Sequence, residues 1–306
     1  MTTIVFPGQG SQFSNMTKDF YDSSIVVKHT FQEIEDFTKI KISNLIFDNK
    51  NDLINQTKYT QIAIFTASIS IFNYFKKEVN YDQKNINFML GHSLGEYTAL
   101  AAANILSIED CSKLLKIRGE LMQNAYPPNQ SSMAAVLGFS YNIIDKFIKE
   151  NNLNIEVAND NSPTQVVVSG KVSDLEKAEL LLKKLGVKRF VFLNVSAAFH
   201  CNLMKDAEDK MKNYISKVSF KESDIKLISN FSGKLASNTN AIIENLSNQM
   251  SNRVRWVESI KYLEGKMEND IIEIGPGKVL SGLIKRISNN FNITNLEKLS
   301  DIEKVI

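Results

Sequence analysis

The sequence predicts an α/β protein, with a larger body built on a parallel sheet and a small ferredoxin-like subdomain inserted into it. Three observations predict this. An apolar run, Ile86-Asn87-Phe88-Met89-Leu90, ends in Gly91-His92-Ser93-Leu94-Gly95 and passes into a run of helix formers from Tyr97 to Leu106. That is the pattern of a serine held on a sharp strand-to-helix turn. Residues 133–195 then read β-α-β-β-α-β, the ferredoxin-like order. Outside them, short apolar strands alternate with helical stretches, as in an α/β sheet. The body is expected over 1–126 and 197–306, and the small subdomain over 127–196.

In chain order, Thr3-Ile4-Val5-Phe6 reads as a short buried strand, closed by Pro7-Gly8-Gln9-Gly10-Ser11-Gln12. No Gly-Lys-Ser/Thr follows, so this is not a phosphate loop. Phe20 to Thr38 carries Ile25, Phe31, Ile34 and Phe37 at helical spacing. Asn49 to Lys58 is polar and reads as a connection, and Thr60 to Lys76 is a helix striped by Ile62, Phe65, Ile69 and Phe72. Ser107-Ile108-Glu109-Asp110 opens the next helix with a capping-box pattern. Tyr126-Pro127-Pro128-Asn129-Gln130 breaks the chain before the small subdomain. Its segments are Met133–Phe139, Asn142–Asn151, Ile155–Ala158, Gln165–Ser169, Ser173–Leu185 and Lys188–Val195. The body resumes with a helix from Leu203 to Ile215 and a strand from Lys226 to Ser229. Helices are expected over Asn245–Asn252 and Trp256–Met267, then a strand over Asp270–Ile274, and Gly275-Pro276-Gly277 turns into a helix near Lys278.

Composition narrows the function. Thirty-six basic and 34 acidic residues leave a net charge of +2, so no global field favours nucleic acid. The two cysteines, Cys111 and Cys201, have no metal spacing and suit a reducing compartment. Met1-Thr2-Thr3-Ile4-Val5-Phe6 does not read as a signal peptide, and the apolar stretch Ile62–Phe75 is too short and punctuated for a bilayer. The expectation is a soluble cytoplasmic protein without a membrane or nucleic-acid partner, metal or cofactor.

The chemistry centres on Ser93. Side chains at Gly91 or Gly95 would collide with neighbouring backbone, and the Leu94 N–H would point where an oxyanion forms. A serine nucleophile needs a base, and the chain has three histidines. His29 lies on an amphipathic helix and reads as a surface residue. His92 adjoins Ser93 on a tight turn and points away. His200 remains. No acid declares itself by spacing as the group that orients it. Arg118 falls on the inward face of its helix with Leu114 and Leu121. It is either an internal salt-bridge residue or the clamp of a ligand carboxylate.

These segments, together with Arg118-Gly119-x-x-Met122-Gln123, Asn161-Ser162-Pro163-x-Gln165, Phe199-His200 and Gly275-Pro276-Gly277-Lys278-Val279-Leu280, resemble the malonyl-CoA:acyl carrier protein transacylase family from about residue 3 to 287. The resemblance implies an α/β-hydrolase-like body and a ping-pong reaction: malonyl-CoA acylates Ser93, and the phosphopantetheine thiol of acyl carrier protein takes the malonyl group. It makes Ser93 the nucleophile, His200 the base and Arg118 the holder of the malonyl carboxylate. Gln9 and the Leu94 N–H would form the oxyanion hole, and the Gln249 main-chain carbonyl would support His200. Ile62 and Ala198 stand where the family commonly has proline, and Phe199 is the form associated with malonyl units. Malonyl-CoA is then a substrate, acyl carrier protein the partner, and the enzyme a monomer.

Three other readings compete. An acyl-thioester hydrolase of the same fold would have no use for a buried Arg118. A stand-alone acyltransferase of a polyketide synthase would share every motif. A non-enzymatic carrier-binding module would not need Ser93, His200 and Arg118 together. Lys183, Lys184, Lys188, Arg189, Lys285 and Arg286 are candidates for docking an acidic carrier protein.

Overall fold

The computed structural model describes residues 2–305. The body is organised on a five-stranded, wholly parallel sheet of β1 (Thr2–Phe6), β2 (Ile86–Gly91), β7 (Lys226–Leu227), β8 (Asp270–Ile274) and β9 (Asn292–Leu296), in the order β7-β2-β1-β8-β9. Alternation along these strands sorts the two faces. Ile4, Phe6, Met89, Ile272 and Ile274 point into the larger core, while Val5, Phe88, Leu90 and Ile271 point into a second one. Both faces are covered, as a parallel sheet requires, so the central strands are buried at nearly every position.

The larger core is filled by α1 (Lys18–Ser23), α2 (Ile25–Thr38), α3 (Ile42–Phe47), α4 (Thr57–Lys77), α5 (Gly95–Ala102) and α6 (Ile108–Gln123), with contributions from later helices. From Thr60 to Phe72, α4 is buried on every side, with Phe72 edge-on to Phe6 at 6.0 Å. Gly119 matters to the site. A Cβ there would lie 2.9 Å from the Lys58 Cα, so only glycine lets α6 press against the first turn of α4 and bring Arg118 to Gln61.

The inserted unit contains β3 (Ser131–Leu137), α7 (Tyr141–Glu150), β4 (Ile155–Ser162), β5 (Gln165–Lys171), α8 (Val172–Leu185) and β6 (Arg189–Phe192). Its sheet is antiparallel in the order β4-β5-β3-β6. One face, with Ala134, Val136, Val166 and Val168, packs on α7 and α8. The other turns Met133 and Val167 toward the body. A parallel bridge, Asn159 to Val254, joins the end of β4 to the body.

The chain closes the body with α9 (Lys205–Ile215) and α10 (Thr239–Ser247) on the larger-core side. On the other side lie α11 (Trp256–Glu264) and α12 (Val279–Ile287). No helix among the described residues is long and apolar enough to cross a membrane.

Several sequence expectations are corrected. The helix expected over 20–38 is two, because Ser24 is extended and its side chain accepts the Val27 N–H, starting a new helix. Ile25, counted on the apolar stripe, becomes the first residue of that helix and is 76% exposed. The connection over 49–58 contains a 3-10 segment, Lys50–Asn55, and the first turn of α4. The helix expected over Asn245–Asn252 is α10, started by Asn238 accepting the Ala241 N–H and finished at Ser247. Ending there leaves the Gln249 carbonyl outside any helical ladder and free for another donor. Strand β9, with asparagine at 292 and 295, was not anticipated: an edge strand, half-buried along its middle, carries little apolar signal.

Candidate active site

Strands β1 and β2 end level, Phe6 paired with Gly91, so the loops following them emerge together at the carboxyl edge of the sheet. Crevices at this edge are where open α/β sheets take ligands. Ser93 lies on the turn after β2 with φ +54°, in the left-handed region that non-glycine residues seldom adopt. The flanking glycines make the turn possible. A Cβ on Gly91 would sit 2.0 Å from the Gly95 carbonyl carbon, and one on Gly95 would sit 2.3 Å from the Phe6 carbonyl oxygen. Asn230, just after β7, staples the turn by accepting the Ser93 N–H at 2.6 Å and donating to the Gly91 carbonyl at 2.6 Å. The N–H groups of Ser93, Gly95, Glu96 and Tyr97 all have acceptors. The Leu94 N–H, between them, has none among the described residues and stands at the start of α5.

His200 comes from the segment that returns from the small subdomain. Its Nε2 is 2.8 Å from the Ser93 Oγ. Its Nδ1 faces two main-chain carbonyls, Gln249 at 3.0 Å and Asn252 at 3.2 Å. Carbonyls only accept, so Nδ1 carries the proton and Nε2 is left to accept from the serine. Burial pushes the His200 pKa down to about 3, with the Arg118 charge adding to the effect, so the ring is neutral at neutral pH.

Arg118 is 1% exposed. Its Nη1 donates to the Gln61 Oε1 at 2.6 Å, and its Nη2 donates to the Gln249 Oε1 at 2.8 Å and the Ser93 Oγ at 3.1 Å. The Nε has no partner. No carboxylate among the described residues lies within salt-bridge distance of it. Among the described residues the internal ion pair that the sequence left open is absent, and the buried cation is held by neutral oxygens and lies over the Tyr97 ring, 5.5 Å from its centroid.

Gln9 lines the same cavity, of about 120 Å³, together with Ser93, Leu94, Arg118 and His200. Its side chain donates to the Thr57 Oγ1 at 3.2 Å, and Thr57 is 2.8 Å from the Ser196 Oγ. Met133, Val167, Leu193 and Val195 from the small subdomain wall the opposite side. His92 bonds Asn161 at 2.9 Å rather than Ser93, and His29 is exposed on α2 beside Glu33. Of the three residues singled out first, His200 and Arg118 are therefore both within hydrogen-bond reach of Ser93. Sequence reasoning missed Gln61, Asn230, the second carbonyl at Asn252 and the Gln249 side chain. The amides carry no motif, and a main-chain carbonyl carries no side-chain signal at all.

The acyl transferase domain family matches residues 3–297. The chain is 38% identical over 308 residues to the malonyl CoA-acyl carrier protein transacylase of Bacillus subtilis, covering 99% of this chain and 95% of that one. The crystal structure of the malonyl CoA-acyl carrier protein transacylase from Clostridium perfringens superposes with a TM-score of 0.93 at 34% identity, covering 99% and 95% of the two chains. A malonyl-transacylase in complex with its type II PKS acyl-carrier protein superposes with a TM-score of 0.92 at 33% identity, covering 99% and 98%. The chain belongs to the malonyl CoA-acyl carrier protein transacylase family.

Proposed function

We propose that the protein transfers the malonyl group of malonyl-CoA to the phosphopantetheine thiol of an acyl carrier protein through a malonyl-Ser93 intermediate. In the first half-reaction the Ser93 hydroxyl gives its proton to the His200 Nε2 as its oxygen attacks the thioester carbonyl. The oxyanion is held by the Leu94 N–H and Gln9. The tetrahedral intermediate expels CoA as thiolate, which takes the proton back from His200. In the second half-reaction the carrier thiol gives its proton to His200, its sulfur attacks the acyl-serine, and the Ser93 oxygen leaves with that proton.

The observation that carries this reading is Arg118, a cation 1% exposed, bonded to the Ser93 Oγ and to amide oxygens and lacking a carboxylate partner. Such a charge is costly unless an anion arrives to pair with it. A hydrolase of neutral acyl chains would gain nothing from it. The carrier protein is of fatty-acid or polyketide type, and the chemistry is common to both. The reaction needs no cofactor, and the protein acts as a cytoplasmic monomer.

The test is intact mass after mixing with malonyl-CoA, followed by addition of holo carrier protein of each type. A malonyl adduct that forms on the wild type, is absent in Ser93→Ala and passes to a carrier thiol is expected. An adduct of undiminished yield in Ser93→Ala would refute the assignment.

A further inference from the structure

Three side chains behind the serine form a relay the reaction scheme does not use. Glu96 on α5 is 1% exposed. Its Oε2 accepts from the Gln249 Nε2 at 2.7 Å and from the Asn230 N–H at 3.2 Å. Gln249, also 1% exposed, donates through the same Nε2 to the Ser93 carbonyl at 3.0 Å, and its Oε1 accepts from Arg118. A guanidinium can only donate and an ionised carboxylate can only accept, so the two neighbours dictate which way the amide faces. The arrangement is a carboxylate and a guanidinium held apart by one carboxamide. Burial holds the Glu96 carboxyl above the ordinary carboxylate range, opposed by Ser229, by the bonds from Gln249 and Asn230 and by the Arg118 charge.

The separation has a chemical consequence. A carboxylate in direct contact with Arg118, where the Gln249 amide now sits, would neutralise the guanidinium before the substrate carboxylate arrived. A site with no nearby anion would leave the guanidinium wholly uncompensated while empty. We propose that Glu96 is a positioning residue whose carboxylate reaches Arg118 only through the Gln249 amide, compensating the guanidinium without occupying it. The same contact locks Gln249, whose main-chain carbonyl holds His200, so the carboxylate clamp and the base share one support. This inference rests on the transacylase reading and adds to it a determinant of malonyl selectivity outside the acyl cavity.

The test exchanges the two groups. Glu96→Gln combined with Gln249→Glu keeps the charge, the heavy-atom count and the side-chain length, but puts the carboxylate directly on Arg118. Single-turnover acylation of Ser93 is followed by intact mass with malonyl-CoA and with acetyl-CoA, alongside thermal unfolding. The malonyl-to-acetyl rate ratio is expected to fall about 100-fold in the exchange variant, which sets a carboxylate on the guanidinium, and to rise about tenfold in Glu96→Gln alone, which removes the compensating charge. A ratio within twofold of wild type, or both rates falling together at constant ratio, would make Glu96 a structural residue and overturn the inference. Should the exchange variant fail to fold, Glu96→Gln decides by the same ratio. A wild type that takes up no malonyl group would instead remove the transacylase reading itself, which the same measurement distinguishes.

Discussion

Replacing Arg118 with alanine removes a positive charge bonded to the Ser93 Oγ. Its size as a substrate contact follows from counting donors. A guanidinium carries five N–H groups. Three are engaged by Gln61, Gln249 and Ser93; the Nε–H is free, and the Nη2–H parallel to it is one of those engaged, so a substrate carboxylate takes its second bond by displacing that contact. Two charge-assisted bonds to a carboxylate at about 1.5–3 kcal/mol each amount to about 3–6 kcal/mol, or roughly 10²- to 10⁴-fold in rate. The assay is kcat/KM for malonyl-CoA and acetyl-CoA in wild type and Arg118→Ala. Malonyl-CoA activity should fall by that factor, and acetyl-CoA activity should hold or rise, because a neutral acyl group no longer faces an unpaired buried charge. Lysine at 118 should recover only part, since it brings charge without the planar fork. An unchanged malonyl-to-acetyl ratio in Arg118→Ala would refute the reasoning and place selectivity elsewhere.

Three further outcomes are expected. His200 is neutral in the fold down to about pH 3, against an ordinary value of 6.5. Acylation by malonyl-CoA should therefore show no acid limb near pH 6.5, whereas a limb there would mean a solvated imidazole. Because the unfolded chain binds that proton below 6.5 and the folded one does not, His200 makes stability fall as pH drops from about 6.5 to about 3, and His200→Gln should flatten that slope in denaturant titrations. Gly95→Ala should cost about 3 kcal/mol in the same titrations, because its Cβ meets the β1 backbone rather than a movable side chain; a loss below about 1 kcal/mol would show that the turn can relax. Lys183, Lys184, Lys188, Arg189, Lys285 and Arg286 are all exposed, so charge reversal there should slow transfer to carrier protein in a salt-dependent way while sparing acylation; a carrier step indifferent to salt would remove the patch.

What was legible in the sequence was what is local. Asp270–Ile274 lies where its apolar run put it, because a strand buried on both faces has no competing pattern. The serine turn was legible because two close approaches demand glycine at 91 and 95. His200 was reached by elimination among three histidines, a matter of composition rather than of geometry. What was hidden depends on tertiary placement. Nothing in the neighbourhood of Asn230 or Gln61 distinguishes them from solvent-facing amides, yet both are turned inward by the elements that carry them. The stretch 245–252 read as helix because propensity cannot see that Gln249 and Asn252 must offer their carbonyls to an imidazole.

The carbonyl support bears on why the acyl group should pass to a thiol rather than to water. An aspartate beside Nδ1 would stabilise the imidazolium as a full charge. Two carbonyls do so less, and burial with Arg118 nearby makes His200 a weak base. A thiol, whose ordinary pKa is about 8.5, asks far less of such a base than water at 15.7. The Ser93 hydroxyl, no more acidic than water, is served by it because it is held 2.8 Å from Nε2 with Arg118 donating to its oxygen, a position no free water shares. On the proposed mechanism the malonyl carboxylate then adjusts this balance. Pairing with Arg118 cancels the charge that helps hold the His200 pKa down, and the imidazole becomes more basic once the right acyl group is in place. The free enzyme should therefore show a lower histidine pKa than the malonyl-enzyme. Histidine ring resonances titrated by NMR, before acylation and after trapping the acyl-serine, check the sign. A His200 pKa that is the same or lower in the malonyl-enzyme would mean that Arg118 and the base are not electrostatically coupled through the substrate.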